Sequence, residues 1–149
     1  EILYSSINEL ENKIIKQGYN NKSQLNSLKQ SYGAIKSIGQ NYNDIREANT
    51  KYADKYFHAK ANCQAAQYGE IGSDIAQKLS NLREDTDLLK NKYKRKKDGT
   101  KMTKEERIED YISDKEANIY GRKQGLNNPG IDCKILVDKY RPNGLNKKY

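Results

Sequence analysis

Asp54 and His58 stand four positions apart, so on a helix they share one face, where a carboxylate can orient an imidazole and raise its pKa. That pair is half of a general acid/base device, and His58 is the only histidine in the chain. Asp114, Asn118 and Arg122 repeat the spacing of four. On a helix they line one stripe able to hold a substrate's polar groups or a phosphate. Arg83 and Glu84 fall between the two sets, Glu84 as the candidate second carboxylate with Asp85 and Asp87 beside it able to serve instead. Each step, taken alone, also reads as an ordinary surface pair or a solvated face.

Several chemistries are excluded. No P-loop, GxGxxG, HExxH, GxSxG or EF-hand pattern occurs, which sets aside nucleotide hydrolases, Rossmann enzymes and zincins. Cys63 and Cys133 have no CxxC spacing, so a tetrahedral zinc site of cysteine and histidine is excluded. In an oxidising compartment one disulfide across that interval contributes about 4 kcal/mol; in the cytosol both side chains are buried thiols. Cofactor and metal needs stay open.

The elements that must position these residues are helical. Leu3, Ile7, Leu10 and Ile14 step by four and three and predict a first helix, ended by Gly18. Leu25, Leu28, Tyr32, Ile35, Ile38, Tyr42 and Ile45 predict a second, which makes an antiparallel hairpin turning near Tyr19, Asn20 and Asn21. After Thr50 the stripe Tyr52, Tyr56, Ala59, Cys63 and Ala66 is small and aromatic, a surface on which helices approach closely. Gly69 and Gly72 are expected to break that helix, and Ile71, Ile75, Leu79, Leu82 and Leu89 outline the next. Lys90 to Lys104 holds eight Lys or Arg against the single acid Asp98; Asp98-Gly99 marks a turn, and the stretch reads as an exposed loop. Thr103-Lys104-Glu105-Glu106 fits a capping box. The helix it opens, to about Arg122, is expected to carry Ile108, Tyr111, Ile112 and Ile119 inward. A last short helix holds Cys133, Leu136, Val137 and Tyr140 and is stopped at Pro142.

The fold class expected is therefore all-α: an N-terminal helical hairpin over 1–49, a linker or stalk, followed by a compact bundle of about four helices over 50–149. The hydrophobic fraction of 34% includes twelve tyrosines, so the core is thin. A net charge of +8 favours a polyanionic partner, whether nucleic acid, an anionic lipid headgroup or an acidic protein, although a basic surface also serves solubility alone. No apolar run is long enough to span a membrane, no secretory or transit segment occurs, and a chain beginning at Glu1 is expected to continue upstream.

The string from Asp54 to Ala66 followed by Gly69, with Leu82-Arg83-Glu84, then Asp114-Lys115-Glu116-Ala117-Asn118-Ile119-Tyr120-Gly121-Arg122 with Gly125, then Cys133 and Tyr140-Arg141-Pro142-Asn143-Gly144-Leu145, resembles small C-terminal domains of bacterial polymorphic toxins of the Rhs and contact-dependent inhibition type and their stand-alone relatives. The resemblance covers about residues 50 to 149; Phe57 replaces the arginine of the pattern and Val137 a further cysteine. It implies a helical bundle in which Asp54, His58, Glu84, Asp114, Asn118 and Arg122 converge, and a single Cys63 to Cys133 link.

On that basis the first expectation is a secreted or periplasmic antibacterial effector, delivered into a target bacterial cell, with a cognate immunity protein. As a hydrolase of nucleic acid or phospholipid it uses His58 as general acid or base, Asp54 to orient it, Glu84 and Asp114 as further carboxylates or metal ligands, and Asn118, Arg122 and Arg83 to hold an anionic substrate. The alternative is a non-enzymatic periplasmic or surface helical interaction protein, pilus-associated, adhesin-like or inhibitory, in which the polar network is structural. A third reading is a nucleic-acid binder gripping phosphates through Lys90 to Lys104, with Tyr93 stacking on a base.

Overall fold

A computed structural model describes residues 22–149. The helix expected over Leu3 to Gly18, and the turn that makes it one arm of a hairpin, lie outside the described residues. The rest is α-helical: α1 Lys22–Ala48, α2 Asp54–Ala66, α3 Glu70–Asn91, α4 Lys104–Asn127 and the single-turn α5 Cys133–Leu136, followed by a 3-10 turn Asp138–Tyr140. A compact all-α bundle of about four helices is present, as expected, but α1, expected to belong to a linker or stalk over 1–49, packs within it against α2 and α3.

The centre of the bundle is α2, buried at nearly every position from Tyr56 to Ala66 and packed by α1, α3 and α4. Its alanines make this possible, because a helix that must touch three others needs thin sides. The closest crossing is with α4, where Gly121 and Gly125 lie against the backbone carbonyls of Ala59 and Cys63. No side chain fits there. Gly69, at φ 119°, takes a backbone shape open to glycine and turns the chain from α2 into α3. Gly72, expected to break the helix, is instead inside α3, where its missing side chain admits the Ala65 carbonyl.

The start of α4 is the capping box expected: the Thr103 hydroxyl accepts from the Glu106 amide at 3.1 Å, and a Glu106 carboxylate oxygen accepts from the Thr103 amide at 2.7 Å. The basic stretch before it is exposed and folds as a narrow turn, with an isolated bridge between Arg95 and Lys101 and Asp98 accepting from the Thr100 amide at 2.9 Å. The last helix is shorter than its pattern suggested and passes into the 3-10 turn at Asp138.

Beneath α2 the C-terminal segment closes the core. Val137, Leu145 and Tyr149 are buried with Tyr56 and Phe57, and the Phe57 and Tyr149 rings meet edge to face at 5.5 Å. The Tyr56 hydroxyl donates to the Tyr149 backbone oxygen at 2.8 Å and accepts from Arg141 at 2.9 Å. Cys63 and Cys133 form a disulfide that ties α2 to the start of α5.

One expectation reverses. Ile108, Ile112 and Ile119 do not face inward; they are 42%, 49% and 55% exposed, and on α3 Leu82 and Leu89 are 65% and 68% exposed. What α4 buries is Ala117, Asn118, Gly121, Arg122 and Gly125, and what α3 buries is Gly72, Ser73, Ala76, Ser80 and Glu84. Both helices turn a small and polar face to α2 and leave large apolar side chains outside. The close approach that glycine and alanine permit, with the hydrogen bonds described next, accounts for this choice of face.

Candidate functional site

Three helices each contribute an inward pair or trio spaced by four: His58 and Asn62 from α2, Ser80 and Glu84 from α3, and Asp114, Asn118 and Arg122 from α4. Spacing of four holds such side chains one above another on a helix, so a single crossing brings all of them together. The Arg122 guanidinium donates to the Asn62 carbonyl oxygen at 2.8 Å. Asn62 Nδ2 donates to the Asn118 carbonyl oxygen at 2.9 Å and lies 2.9 Å from the Ser80 hydroxyl. Asn118 Nδ2 in turn donates to Glu84 Oε1 at 3.2 Å, and that oxygen is 3.1 Å from Nδ1 of His58. The result is a relay of aligned amide dipoles with a buried cation at one end and, at the other, a buried carboxylate that is itself paired with His58.

All the residues expected to carry chemistry are near this point, in two tiers. His58, Glu84, Asn118 and Arg122 are buried, Asp114 is half-buried, and Asp54 and Arg83 line the mouth of a cleft of about 630 Å³ above His58. The ion-pair partner of the imidazole is Glu84, while Asp54 is exposed at the cleft edge. Arg83 extends over the Tyr42 ring of α1 at 4.9 Å. Asn62 and Ser80, which sequence reasoning missed, are the hub of the network. Their signal was present as the positions four after His58 and four before Glu84.

The two carboxylates are pushed apart. Burial drives Glu84 upward, but the hydrogen bond from His58, its charge and the Asn118 amide outweigh burial and hold the carboxyl below its ordinary range. Asp114 is raised to about 6 by burial, a rise the His58 charge opposes and the charges of Glu84 and Asp110 reinforce. Burial lowers Arg122. An acid titrating near 6 beside an ionised carboxylate and an imidazole can exchange protons or hold a cation.

The Asp114 shift has a measurable sign. Its folded pKa lies above the ordinary 3.8, so the folded state binds the proton more tightly; that stability is present in acid and lost as pH rises through about 6. Asp114→Asn, which mimics the protonated acid, is expected to match wild type below pH ~4 and to be roughly 1–2 kcal/mol more stable above pH ~6.5 in chelator, after discounting for partial exposure. Urea titrations at the two pH values check this; a variant less stable at neutral pH overturns it.

The serum amyloid A protein family matches residues 25–149. The serum amyloid A protein of Ovis aries is 37% identical over 125 residues, covering 84% of this chain and 98% of its own. The Bos taurus protein of the same name is 37% identical over 120 residues, covering 80% and 81%, and serum amyloid A-2 protein of Sus scrofa is 35% identical over 125 residues, covering 84% of each. The chain belongs to the serum amyloid A family.

That membership overturns the likeness to bacterial polymorphic toxins, because proteins of sheep, cattle and pig match over 84%, 80% and 84% of the chain respectively. The antibacterial hydrolase, its immunity protein and its delivery into a bacterial cell fall with it. In this chain the motif residues have architectural tasks: Gly121 and Gly125 admit the α2 backbone, Asn118 and Arg122 complete the relay, and Arg141 holds Tyr56 over the C-terminal segment. No helix among the described residues is long and apolar enough to cross a membrane.

Proposed function

We propose that this chain is a secreted, non-enzymatic helical protein that binds anionic lipid surfaces through the apolar ridges of α3 and α4. The carrying observation is the reversed amphipathicity of these helices. Leu79, Leu82 and Leu89 on α3 are spaced by three and seven, and Ile108, Ile112 and Ile119 on α4 by four and seven, so each set forms one exposed ridge. Isolated surface leucines need no explanation, but continuous ridges mark an interaction surface. Each such side chain gains about 1.5–3 kcal/mol when fully removed from water. The net charge of +8 adds attraction to anionic headgroups, and Lys115 and Lys123 flank the α4 ridge with stems able to lie along an apolar surface while their ammonium groups stay wet. Secretion is supported by the disulfide, which persists in oxidising compartments, and by the word serum in the relatives' names.

Vesicle flotation tests the reading. Wild type is expected to float with vesicles containing phosphatidylserine and less with phosphatidylcholine alone. Leu82→Glu, Leu89→Glu and Ile112→Glu combined are expected to cut the bound fraction at least about tenfold while far-UV circular dichroism is unchanged, since all three side chains are exposed. Undiminished flotation of the triple variant overturns the proposal. If the triple variant loses self-association but still floats, the ridges join copies of the chain and the lipid reading fails.

A further inference from the structure

The apolar ridges make no use of the buried group at the centre of the bundle. One ligand atom from each of His58, Glu84 and Asp114 lies within 4.8 Å of the others, each from a different helix. We propose that these three side chains bind one divalent transition-metal ion, Zn²⁺ by ligand type, and that the ion clasps α2, α3 and α4 together. With bonds of 2.0–2.2 Å, tetrahedral zinc spaces its ligand atoms by about 3.3 Å. The 3.1 Å between His58 Nδ1 and Glu84 Oε1 is already close to that edge, and the half-buried Asp114, within 4.8 Å of both, has to close in by at most about 1.5 Å to complete the face.

Three further features agree. A neutral imidazole and two carboxylates sum to a charge of −2, which a divalent ion cancels inside the protein. Asn118 donates to Glu84 at 3.2 Å while itself accepting from Asn62 at 2.9 Å, the kind of outer support that fixes a metal-binding carboxylate. The cleft above His58, with Asp54, Asp87 and Asp110 among its lining residues, gives an entry path and leaves the fourth position open to water. Arg83, Lys90, Lys94, Arg95, Lys96 and Lys97 also line that cleft, but Lys90 and residues 94–97 are exposed and none of the six is a ligand.

The test is isothermal titration of ZnCl₂ into chelator-treated full-length protein, read alongside thermal unfolding and the imidazole ¹⁵N signals. Because His58 is the sole histidine, those signals report on this site alone. The expected result is one saturable site per chain, a rise in Tm on loading, and an Nδ1 shift on binding. Glu84→Gln and Asp114→Asn are each expected to weaken binding at least tenfold, and Asp85→Asn, outside the cluster, to leave it unchanged. Asp114→Asn keeps the shape of the side chain, and its metal-free circular dichroism and Tm separate lost binding from lost folding. Absence of saturable binding at millimolar Zn²⁺, or binding that both Glu84→Gln and Asp114→Asn retain at full strength, overturns the proposal. Vesicle flotation in chelator reads the lipid ridges independently of this outcome.

Discussion

Gly121→Ala is expected to destabilise the protein by about 3 kcal/mol or more, although alanine is the better helix former by about 1 kcal/mol. A Cβ on Gly121 falls inside the van der Waals envelope of the Ala59 carbonyl oxygen, and one on Gly125 meets the Cys63 carbonyl oxygen. Both obstacles are backbone, which has no rotamer to retreat into, so α4 must move away from α2. Asn118 and Arg122 share the face that Gly121 and Gly125 present, so displacement of α4 also stretches the 2.9 Å bond from Asn62 to Asn118 and the 2.8 Å bond from Arg122 to Asn62. Gly39→Ala is the internal control: nothing lies within 4 Å of a Cβ there, so in α1 the same substitution is expected to stabilise by up to about 1 kcal/mol. Urea unfolding monitored by circular dichroism compares the two. If Gly121→Ala and Gly39→Ala shift the midpoint in the same direction, the close α2 to α4 crossing is refuted.

The contrast explains what was legible in the sequence. Helical period survives in Leu25 to Ile45 and in Ile71 to Leu89, and the capping box at Thr103 marks a helix start by chemistry that needs no tertiary partner. Period does not say which face is buried. In α4 hydrophobicity selects the isoleucines at 108, 112 and 119 as the inward face, whereas Ala117, Gly121 and Gly125, also spaced by four, form the face that packs. Small residues spaced by four announce close helix contact, but single-residue hydrophobicity ranks them below isoleucine. The site was legible to the same degree. Spacing selects positions 54, 58, 84, 114, 118 and 122, of which 54, 58 and 114 line one cleft while 84, 118 and 122 belong to the buried network, yet spacing also offers His58 a partner one turn away on its own helix. Burial of α2 turned His58 toward Glu84 and left Asp54 outside. Asn62 and Ser80 do not stand out in the sequence because an isolated Asn or Ser in a helix is by default solvated, and only the three-helix crossing turns them into a hub. The motif likeness to bacterial toxin domains failed for a related reason. Its residues specify how helices cross and how the C-terminal segment docks, and such residues identify architecture without fixing function.

Breaking the Cys63 to Cys133 bond is expected to cost about 4 kcal/mol by the loop-closure relation for a separation of 70 residues, a large share of the ~5–15 kcal/mol that holds a domain folded. The loss is expected to be uneven. α5 is a single turn of four residues and the 3-10 turn has three, so neither persists without docking. Once the covalent anchor at Cys133 is gone, the segment is held by Val137, Leu145, the Phe57 to Tyr149 ring contact and the Tyr56 and Arg141 hydrogen bonds. Those same groups cover Tyr56 and Phe57, which have no exposed surface in the folded chain. Reduction is therefore expected to speed hydrogen exchange in residues 133–149 before it reaches α2 to α4, and to lower the urea midpoint of wild type. A Cys63→Ala/Cys133→Ala variant should start at that lower midpoint and ignore reductant. If the oxidised and reduced proteins unfold together, α2 holds the C-terminal segment by packing alone, and the disulfide contributes nothing beyond it.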